Sequence, residues 1–188
     1  MNHKAGFTLI EVLVVIAIIG LLSSFLVSQF GRSRVDLSQA VNAVTADIRQ
    51  AQVFAASGQR HAGVYRCGYG AHFVSATQYI LYAGPDAQSV DCTADDRNYI
   101  NGTDAIVRTV MLIDTRFDIG SPLPLDIFFE PPNPLTYINN ESLPTTVPAR
   151  IILHTLNADC SANPSQCRAV CVYRSGKIQI APTWTACP

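Results

Sequence analysis

A single carboxylate in a long uncharged stretch is the first residue of this sequence that could do chemistry. Glu11 is the only ionisable side chain between Phe7 and Gly31. A carboxylate in an apolar environment is heavily penalised unless it meets a positive partner, because its charged form loses hydration. The sequence therefore predicts a functional role for Glu11 that requires an opposite charge.

The segment that carries Glu11 is long enough to be a transmembrane helix. Its 25 residues, 7–31, would extend over about 37 Å as an α-helix, and the hydrocarbon core of a bilayer is about 30 Å thick. A secretory signal peptide has a shorter apolar core and no acid within it, which argues against that alternative. An ordinary membrane anchor accounts for the length and for Lys4 on the cytoplasmic side, but it leaves Glu11 unexplained.

The run Gly6-Phe7-Thr8-Leu9-Ile10-Glu11 closely resembles the class III signal of type IV pilins and type II secretion pseudopilins, in residue identities and in spacing. The resemblance implies that prepilin peptidase removes the leader, residues 1–6, by cutting after Gly6, and that the new amino terminus at Phe7 is methylated. It also implies that Glu11 meets the amino terminus of a neighbouring subunit during assembly. The chemistry fits, because an ammonium and a carboxylate neutralise each other in a low dielectric.

The same resemblance implies a location and a set of partners. The expected location is a single pass through the inner membrane, with the amino terminus in the cytoplasm and the head in the periplasm or at the cell surface. From there the protein would be extracted into a filament. The expected partners are other pilins or pseudopilins, prepilin peptidase and the inner membrane.

Six cysteines could form disulfides or hold a metal, and all of them follow the apolar segment. Their even number, in a domain expected outside the cytoplasm, favours disulfides, although six cysteines allow fifteen connectivities. A zinc site from Cys160, Cys167 and Cys171 near His154 is the alternative, but the spacing is not a paired C-x-x-C arrangement. We therefore expect no metal and no cofactor. The local pairing that we favour is Cys67–Cys92, Cys160–Cys167 and Cys171–Cys187.

The carboxyl-terminal forty residues are basic although the whole chain has a net charge of −1. The overall charge excludes a general nucleic-acid binder. Arg168, Arg174 and Lys177, however, surround a predicted hairpin at Ser175-Gly176. Some pilus relatives of the resembled family take up DNA through such a region, so DNA is an alternative partner. The other interpretation of these charges is a solvated sheet face.

Other polar residues predict no catalytic site. His3, His61, His72 and His154 are scattered, and no hydrolase, metalloprotease or phosphate-loop motif is present, so we expect no enzymatic activity. Four aspartates in or beside residues 84–103 could supply oxygen ligands for calcium. They lack the regular alternation of a calcium loop, and a solvated acidic turn is the favoured interpretation. These aspartates are Asp91, Asp95, Asp96 and Asp104.

An amphipathic helix is predicted over residues 32–58, after the apolar segment. Its apolar residues recur at steps of three and four, which places them on one face. Gly58 follows the last periodic residue and is a typical helix end. The face consists of Leu37, Val41, Val44, Ile48, Ala51 and Ala55.

The remaining residues, 59–188, predict a β-rich domain with disulfides. Short runs of β-branched and aromatic residues alternate with turn formers, and the two-residue Ser175-Gly176 link suggests a tight hairpin. Residues 84–103 and the proline-rich 131–148 are expected to be long loops. The predicted fold is α+β: a long amino-terminal helix, transmembrane and then amphipathic, packs on a mostly antiparallel sheet, as in type IV pilins. The strand runs are 64–67, 72–75, 79–82, 106–113, 125–130, 150–156, 169–174 and 177–181.

A narrower resemblance extends thinly along the whole chain. Residues 49–55, 125–131, 150–153 and 170–178 look like the H-type minor pseudopilins of type II secretion and their pilus relatives. The predicted function is therefore that of a minor pilin or pseudopilin, a structural subunit that assembles through its amino-terminal helix. The alternatives are a DNA-binding minor pilin and a simple membrane-anchored extracytoplasmic domain.

Overall fold

The computed structural model describes residues 9–30, 37–112, 116–120, 122–132, 135–141, 147–181, 183–185 and 187. The chain divides into two compact units, Met1–Arg34 and Val35–Pro188. The first unit contains helix α1, Leu9–Phe30. The second contains helix α2, Leu37–Ala56, and all the strands found among the described residues. The predicted processing site at Gly6 and Phe7 lies outside the described residues.

Helix α1 is apolar on all sides, and its side chains from Leu9 to Ser23 are exposed. Between Leu9 and Ser23 the residues other than Glu11 are apolar or small, so Glu11 is the one charge on this part of the helix surface. None of the helices within the described part of the chain is both long and apolar enough to cross a membrane. The membrane crossing expected of residues 7–31 therefore stays a prediction.

Helix α2 is amphipathic, and the predicted apolar face is buried. Leu37, Val41, Val44, Ile48, Ala51 and Ala55 are all buried, together with Ala40 and Thr45. The helix ends as expected near Gly58, whose φ is +58°. The N–H of Gly58 donates to the carbonyl of Ala55 at 3.0 Å, and the N–H of Gln59 donates to that of Phe54 at 3.1 Å. This is a Schellman cap, and glycine suits it because the position needs a positive φ.

In the part of the chain that the structure describes, eleven strands follow α2, and all their pairings are antiparallel. They are β1 Arg60–His61, β2 Val64–Tyr65, β3 Tyr69–Ser75, β4 Gln78–Ala83, β5 Ala105–Met111, β6 Phe117–Ile119, β7 Leu125–Glu130, β8 Leu135–Ile138, β9 Ala149–Thr155, β10 Cys167–Val172 and β11 Ile178–Ala181. A five-stranded sheet has the order β5-β4-β3-β7-β8, and a four-stranded sheet has the order β11-β10-β9-β6. Strands β1 and β2 form a separate pair.

The main core lies where α2 packs against both sheets. Val44 and Ile48 of α2 are fully buried, as are Phe129 of the five-stranded sheet and Ile151 and Val170 of the four-stranded sheet. One helix thus packs on both sheets, because each sheet has an apolar face that must be covered. The predicted α+β architecture, a helix on a mostly antiparallel β-domain, is confirmed.

Two details of the predicted β-domain are wrong. Strand β8 lies inside residues 131–148, which were expected to be a loop, and it pairs with β7 through Thr136 and Phe129. The last hairpin has a three-residue loop, 174–176, instead of a two-residue turn. Tyr173 N–H donates to the carbonyl of Lys177 at 2.9 Å, and Gly176, with φ +80°, donates to that of Tyr173 at 2.9 Å. This is a turn followed by a residue in the left-handed region, a common three-residue hairpin.

Candidate functional site

The candidate site in the first unit is the carboxylate of Glu11, in the first turn of α1. Its position favours a negative charge, because the amino-terminal end of a helix carries a partial positive charge. The surrounding surface is apolar: the exposed fractions are 83% for Leu9, 71% for Ile10 and 61% for Leu13. The site therefore presents one carboxylate on an exposed apolar helix. Such a surface can bind a cationic group that arrives on another apolar helix.

The six cysteines form three disulfides, which are the sequential pairs expected. The Cα–Cα distances are 5.2 Å for Cys67–Cys92, 5.7 Å for Cys160–Cys167 and 5.7 Å for Cys171–Cys187. The zinc alternative is wrong for these residues, because all six sulfur atoms are bonded to one another in pairs. No cluster of His, Cys, Asp or Glu that could hold a metal occurs among the residues that the structure describes.

Residues 84–103, here called the acidic loop, contact the five-stranded sheet through a few side chains, while residues 87–91 and 100–103 are exposed. The Tyr99 ring lies 5.3 Å from the Tyr82 ring and 5.0 Å from that of His72, between ring centroids. Tyr82 also donates its hydroxyl to the carbonyl of Arg97 at 2.8 Å. Phe128 and Ile80 complete this second apolar cluster. Alternation along β7 places Phe128 on the face opposite Phe129, so the loop covers the side of the sheet that α2 leaves open.

Asp126 fixes the acidic loop to the sheet. It is 6% exposed, and its Oδ1 accepts the N–H of Tyr99 at 3.0 Å and lies 2.8 Å from His72 Nδ1. The N–H of Asp126 donates to Asn139 Oδ1 at 2.9 Å. A buried carboxylate needs such partners, because an unpaired one would lose its hydration without compensation. The contacts give Asp126 a structural role, and the expected absence of enzymatic activity stays a prediction.

Three of the four aspartates considered for calcium accept hydrogen bonds from nearby backbone. Asp91 Oδ1 accepts the N–H of Thr93 at 3.0 Å, and Asp96 Oδ1 accepts that of Asn98 at 2.9 Å. Asp104 Oδ2 accepts the N–H of Ile100 at 2.7 Å. These are local turns of the kind that Asp commonly forms. These contacts give Asp91, Asp96 and Asp104 a local structural role.

Asp104 predicts a pH-dependent contribution to stability. Burial, reinforced by Asp95, Asp126 and Asp96, raises the pKa of Asp104 from 3.8 to about 6. The folded protein then holds this proton more tightly than the unfolded chain does. The resulting stabilisation is full below pH 3.8 and is lost as the pH rises through about 6. We expect Asp104→Asn, which keeps an acceptor for Ile100, to be about 1 kcal/mol more stable than the parent at pH 7, a figure reduced for the half-exposed position.

Thermal unfolding of the full chain at pH 4 and pH 7 tests the role of Asp104. The advantage of Asp104→Asn should disappear at pH 4, where the parent is protonated too. Asp91→Asn is the control, because hydrogen bonds from Thr93 lower the pKa of Asp91 and its charged form is the favoured one. An equal effect of Asp104→Asn at both pH values would contradict the assignment.

The structure separates the three residues proposed to bind DNA. Arg168, on β10, donates to the carbonyl of Cys167 at 3.0 Å. The guanidinium of Arg174 donates a hydrogen bond to the carboxylate of Glu141, and the Arg174 side chain is only 12% exposed. Lys177 is exposed, with its Nζ 5.2 Å from the centroid of the Tyr173 ring. Arg168 is the second residue of β10, whereas Arg174 lies in the loop beyond the other end of that strand, so the two do not form one patch. DNA binding stays a prediction, and the geometry does not favour it.

Comparison with known proteins finds one family. Residues 1–27 match the model described as the prokaryotic N-terminal methylation motif, which includes Gly6, Phe7 and Glu11. The match supports a type IV pilin-like amino terminus. Neither the comparison with curated proteins nor that with solved structures gives a match.

Proposed function

We propose that this protein is a structural subunit of a type II secretion pseudopilus or a type IV pilus, and that it assembles through α1. The observation that carries the proposal is Glu11: a carboxylate in the first turn of an exposed apolar helix, within the residues that match the methylation motif. The amino terminus at Phe7 of an adjacent subunit is the proposed partner of this carboxylate. Other pilins, prepilin peptidase and the inner membrane are the proposed partners of the protein.

The exposed surface of α1 supports this function. Ile16, Leu21 and Leu22 are 65%, 75% and 60% exposed in the single chain. Each apolar side chain of this size gains about 1.5–3 kcal/mol when it is fully buried. A bilayer would cover this surface first, and the helices of neighbouring subunits would cover it in the filament. The head outside the membrane would be held by three disulfides, as expected in an oxidising compartment.

Within this class we propose a minor subunit of the H type. The support is the sequence likeness at residues 125–131 and 170–178, which the structure places on β7 and on the β10–β11 hairpin. Major pilins often have a proline where this chain has Ser28, which favours a minor role.

Mass spectrometry of the protein purified from membranes tests the proposed function. We expect the chain to begin at Phe7 and to carry one methyl group on its amino nitrogen. Gly6→Val should leave residues 1–6 attached, because a branched side chain would obstruct the peptidase at the bond it cuts. Gly20→Val is the matched control in the same apolar segment, since no atom lies within 4 Å of a Cβ added there. An unprocessed, unmethylated parent would instead indicate a simple membrane anchor.

A further inference from the structure

An asparagine followed by a glycine is a reactive pair, and the chain contains one such pair, Asn101-Gly102. The backbone nitrogen that follows an asparagine can attack the carbon of the side-chain amide, because the two atoms close a five-membered ring. Glycine at the second position has no Cβ to obstruct this ring or to restrict the backbone. The local sequence therefore makes Asn101 the asparagine whose side chain is least protected by the residue after it.

The structure leaves both reacting groups of this pair open. Asn101 and Gly102 are exposed. Gly102 has a φ of +91°, and, apart from its chain neighbours, no atom lies within 4 Å of a Cβ added there. Among the described residues, the Asn101 side chain makes no hydrogen bond, and the N–H of Gly102 donates to no backbone carbonyl at normal hydrogen-bond length. The nitrogen and the amide carbon can thus meet without breaking such a bond.

The turn that contains this pair is held by the residues on either side of it. The N–H groups of Thr103 and Asp104 donate to the carbonyl of Ile100 at 3.2 and 3.0 Å. Asp104 Oδ2 in turn accepts the N–H of Ile100 at 2.7 Å. These bonds fix the two ends of the turn and leave the peptide bond between Asn101 and Gly102 at its exposed tip. Such a tip rearranges at little cost in free energy.

The other asparagines that the structure describes are protected at one of the two reacting groups. The N–H of Tyr99, which follows Asn98, donates to Asp126 Oδ1 at 3.0 Å. The side chain of Asn139 accepts the N–H of Asp126 at 2.9 Å. Asn163 is followed by a proline, which has no N–H. The remaining ones are Asn42, inside helix α2, and Asn140 and Asn157, whose following N–H groups donate to the carbonyls of Ile138 and Thr155.

We propose that Asn101 is a site of spontaneous covalent modification, at which the side-chain amide is hydrolysed to a carboxylate through a cyclic imide. The nitrogen of Gly102 gives its proton to solvent base and bonds to Asn101 Cγ, and the side-chain nitrogen takes up a proton and leaves as ammonia. Water then adds to one of the two imide carbonyls, and the bond from that carbon to the ring nitrogen breaks. The net reaction consumes one water, releases one ammonia and needs no oxidant or reductant.

The two possible products change the acidic loop in different ways. Opening of the ring at the side-chain carbonyl gives aspartate, which adds a negative charge beside Asp104. Opening at the main-chain carbonyl gives isoaspartate, which adds the same charge and also lengthens the main chain by one carbon within the turn from Ile100 to Asp104. The proposal does not depend on assembly through α1, because every residue that it uses lies in the second unit.

Peptide mapping by mass spectrometry of the full chain in detergent micelles tests the proposal. Trypsin cuts after Arg97 and after Arg108, so one peptide, 98–108, contains Asn101 together with Asn98 as an internal control. After incubation at mildly alkaline pH, we expect Asn101 to be converted to a mixture of aspartate and isoaspartate while Asn98 stays intact. The conversion should be slower at acidic pH, because less base is present to take the proton from the Gly102 nitrogen.

A synthetic peptide with the sequence of residues 98–108 separates the reactivity of the sequence from the effect of the fold. We expect the folded chain to react within about tenfold of the peptide, because a protecting fold would add the free energy of local opening to the barrier. Asn101→Gln should show no conversion and no new acidic species on ion exchange, since glutamine would have to close a six-membered ring, which forms more slowly. A rate in the folded chain more than about tenfold below that of the peptide, or equal conversion of Asn98, would overturn the proposal.

Discussion

Replacing Glu11 with glutamine is expected to weaken assembly with partner subunits by about 100-fold or more. Glutamine has almost the same shape as glutamate but carries no charge. In the proposed filament it would leave the amino terminus at Phe7 of the neighbouring subunit without its counter-charge. Removing one member of a buried ion pair costs about 3–5 kcal/mol, and every 1.4 kcal/mol changes an equilibrium about tenfold.

Co-purification from membranes measures the effect of Glu11→Gln. The parent and the variant are expressed at equal levels with the partner pilins, and the bound fraction is compared after detergent extraction. Asp159→Asn is the control, because it removes a carboxylate from an exposed turn of the head and keeps an acceptor for Ser161. We expect this control to assemble like the parent. Undiminished assembly of Glu11→Gln would remove the pairing role, even if the protein is processed and methylated.

Removing the Cys67–Cys92 disulfide by double substitution with alanine is expected to give the largest loss of stability among the three bridges. This bridge has a sequence separation of 25, against 16 for Cys171–Cys187 and 7 for Cys160–Cys167. A disulfide restricts the unfolded chain more when it closes a longer loop. The expected costs are about 3.5 kcal/mol for the first bridge and about 2.4 kcal/mol for the shortest. The first loss corresponds to a fall in Tm of about 10 °C.

Thermal and urea unfolding of the two double variants provide the comparison. Cys160→Ala with Cys167→Ala is a matched control, because each pair of substitutions removes two sulfur atoms and empties one buried cysteine position, at Cys67 or at Cys167. The free energy of unfolding of the variant without Cys67–Cys92 should be about 1 kcal/mol lower than that of the variant without Cys160–Cys167, as the ratio of the loop lengths predicts. If removing the shorter bridge lowers the free energy of unfolding more than removing the longer one, native-state packing and not loop closure determines the contribution of these disulfides.

The helices were predictable because their signals are local. The apolar face of α2 follows from residues three and four positions apart, and the cap at Gly58 follows from its place just beyond the last of them. The motif around Glu11 is likewise contained in six consecutive residues. The sequential disulfides were the favoured choice among fifteen connectivities, since short separations need the least chain rearrangement.

The errors lie where distant contacts override local sequence. Strand β8 lies in a proline-rich stretch, which predicts a loop. It forms a strand because its backbone pairs with that of β7 at the edge of the sheet. The acidic loop has little apolar content, and its residues 87–91 and 100–103 are exposed, as expected of a solvated acidic turn. Its contact with the sheet was not predicted. It is held to the sheet by single residues, above all by Tyr99 and Asp126, whose partners are far away in the sequence. Local periodicity contains no information about such pairs.

The sequence by itself determined the amino-terminal motif, the order of helices before strands and the buried face of α2, because each depends on residues close together in the chain. Only the tertiary structure decided that one helix joins two sheets, that Tyr99 of the acidic loop packs on the second face of the larger sheet, and that Arg174 hydrogen-bonds to Glu141. The three basic residues near the last hairpin form one group in the sequence. Their positions and individual contacts separate them in space, because Arg168 lies near the start of β10, Arg174 lies beyond the end of that strand and pairs with Glu141, and Lys177 packs beside Tyr173.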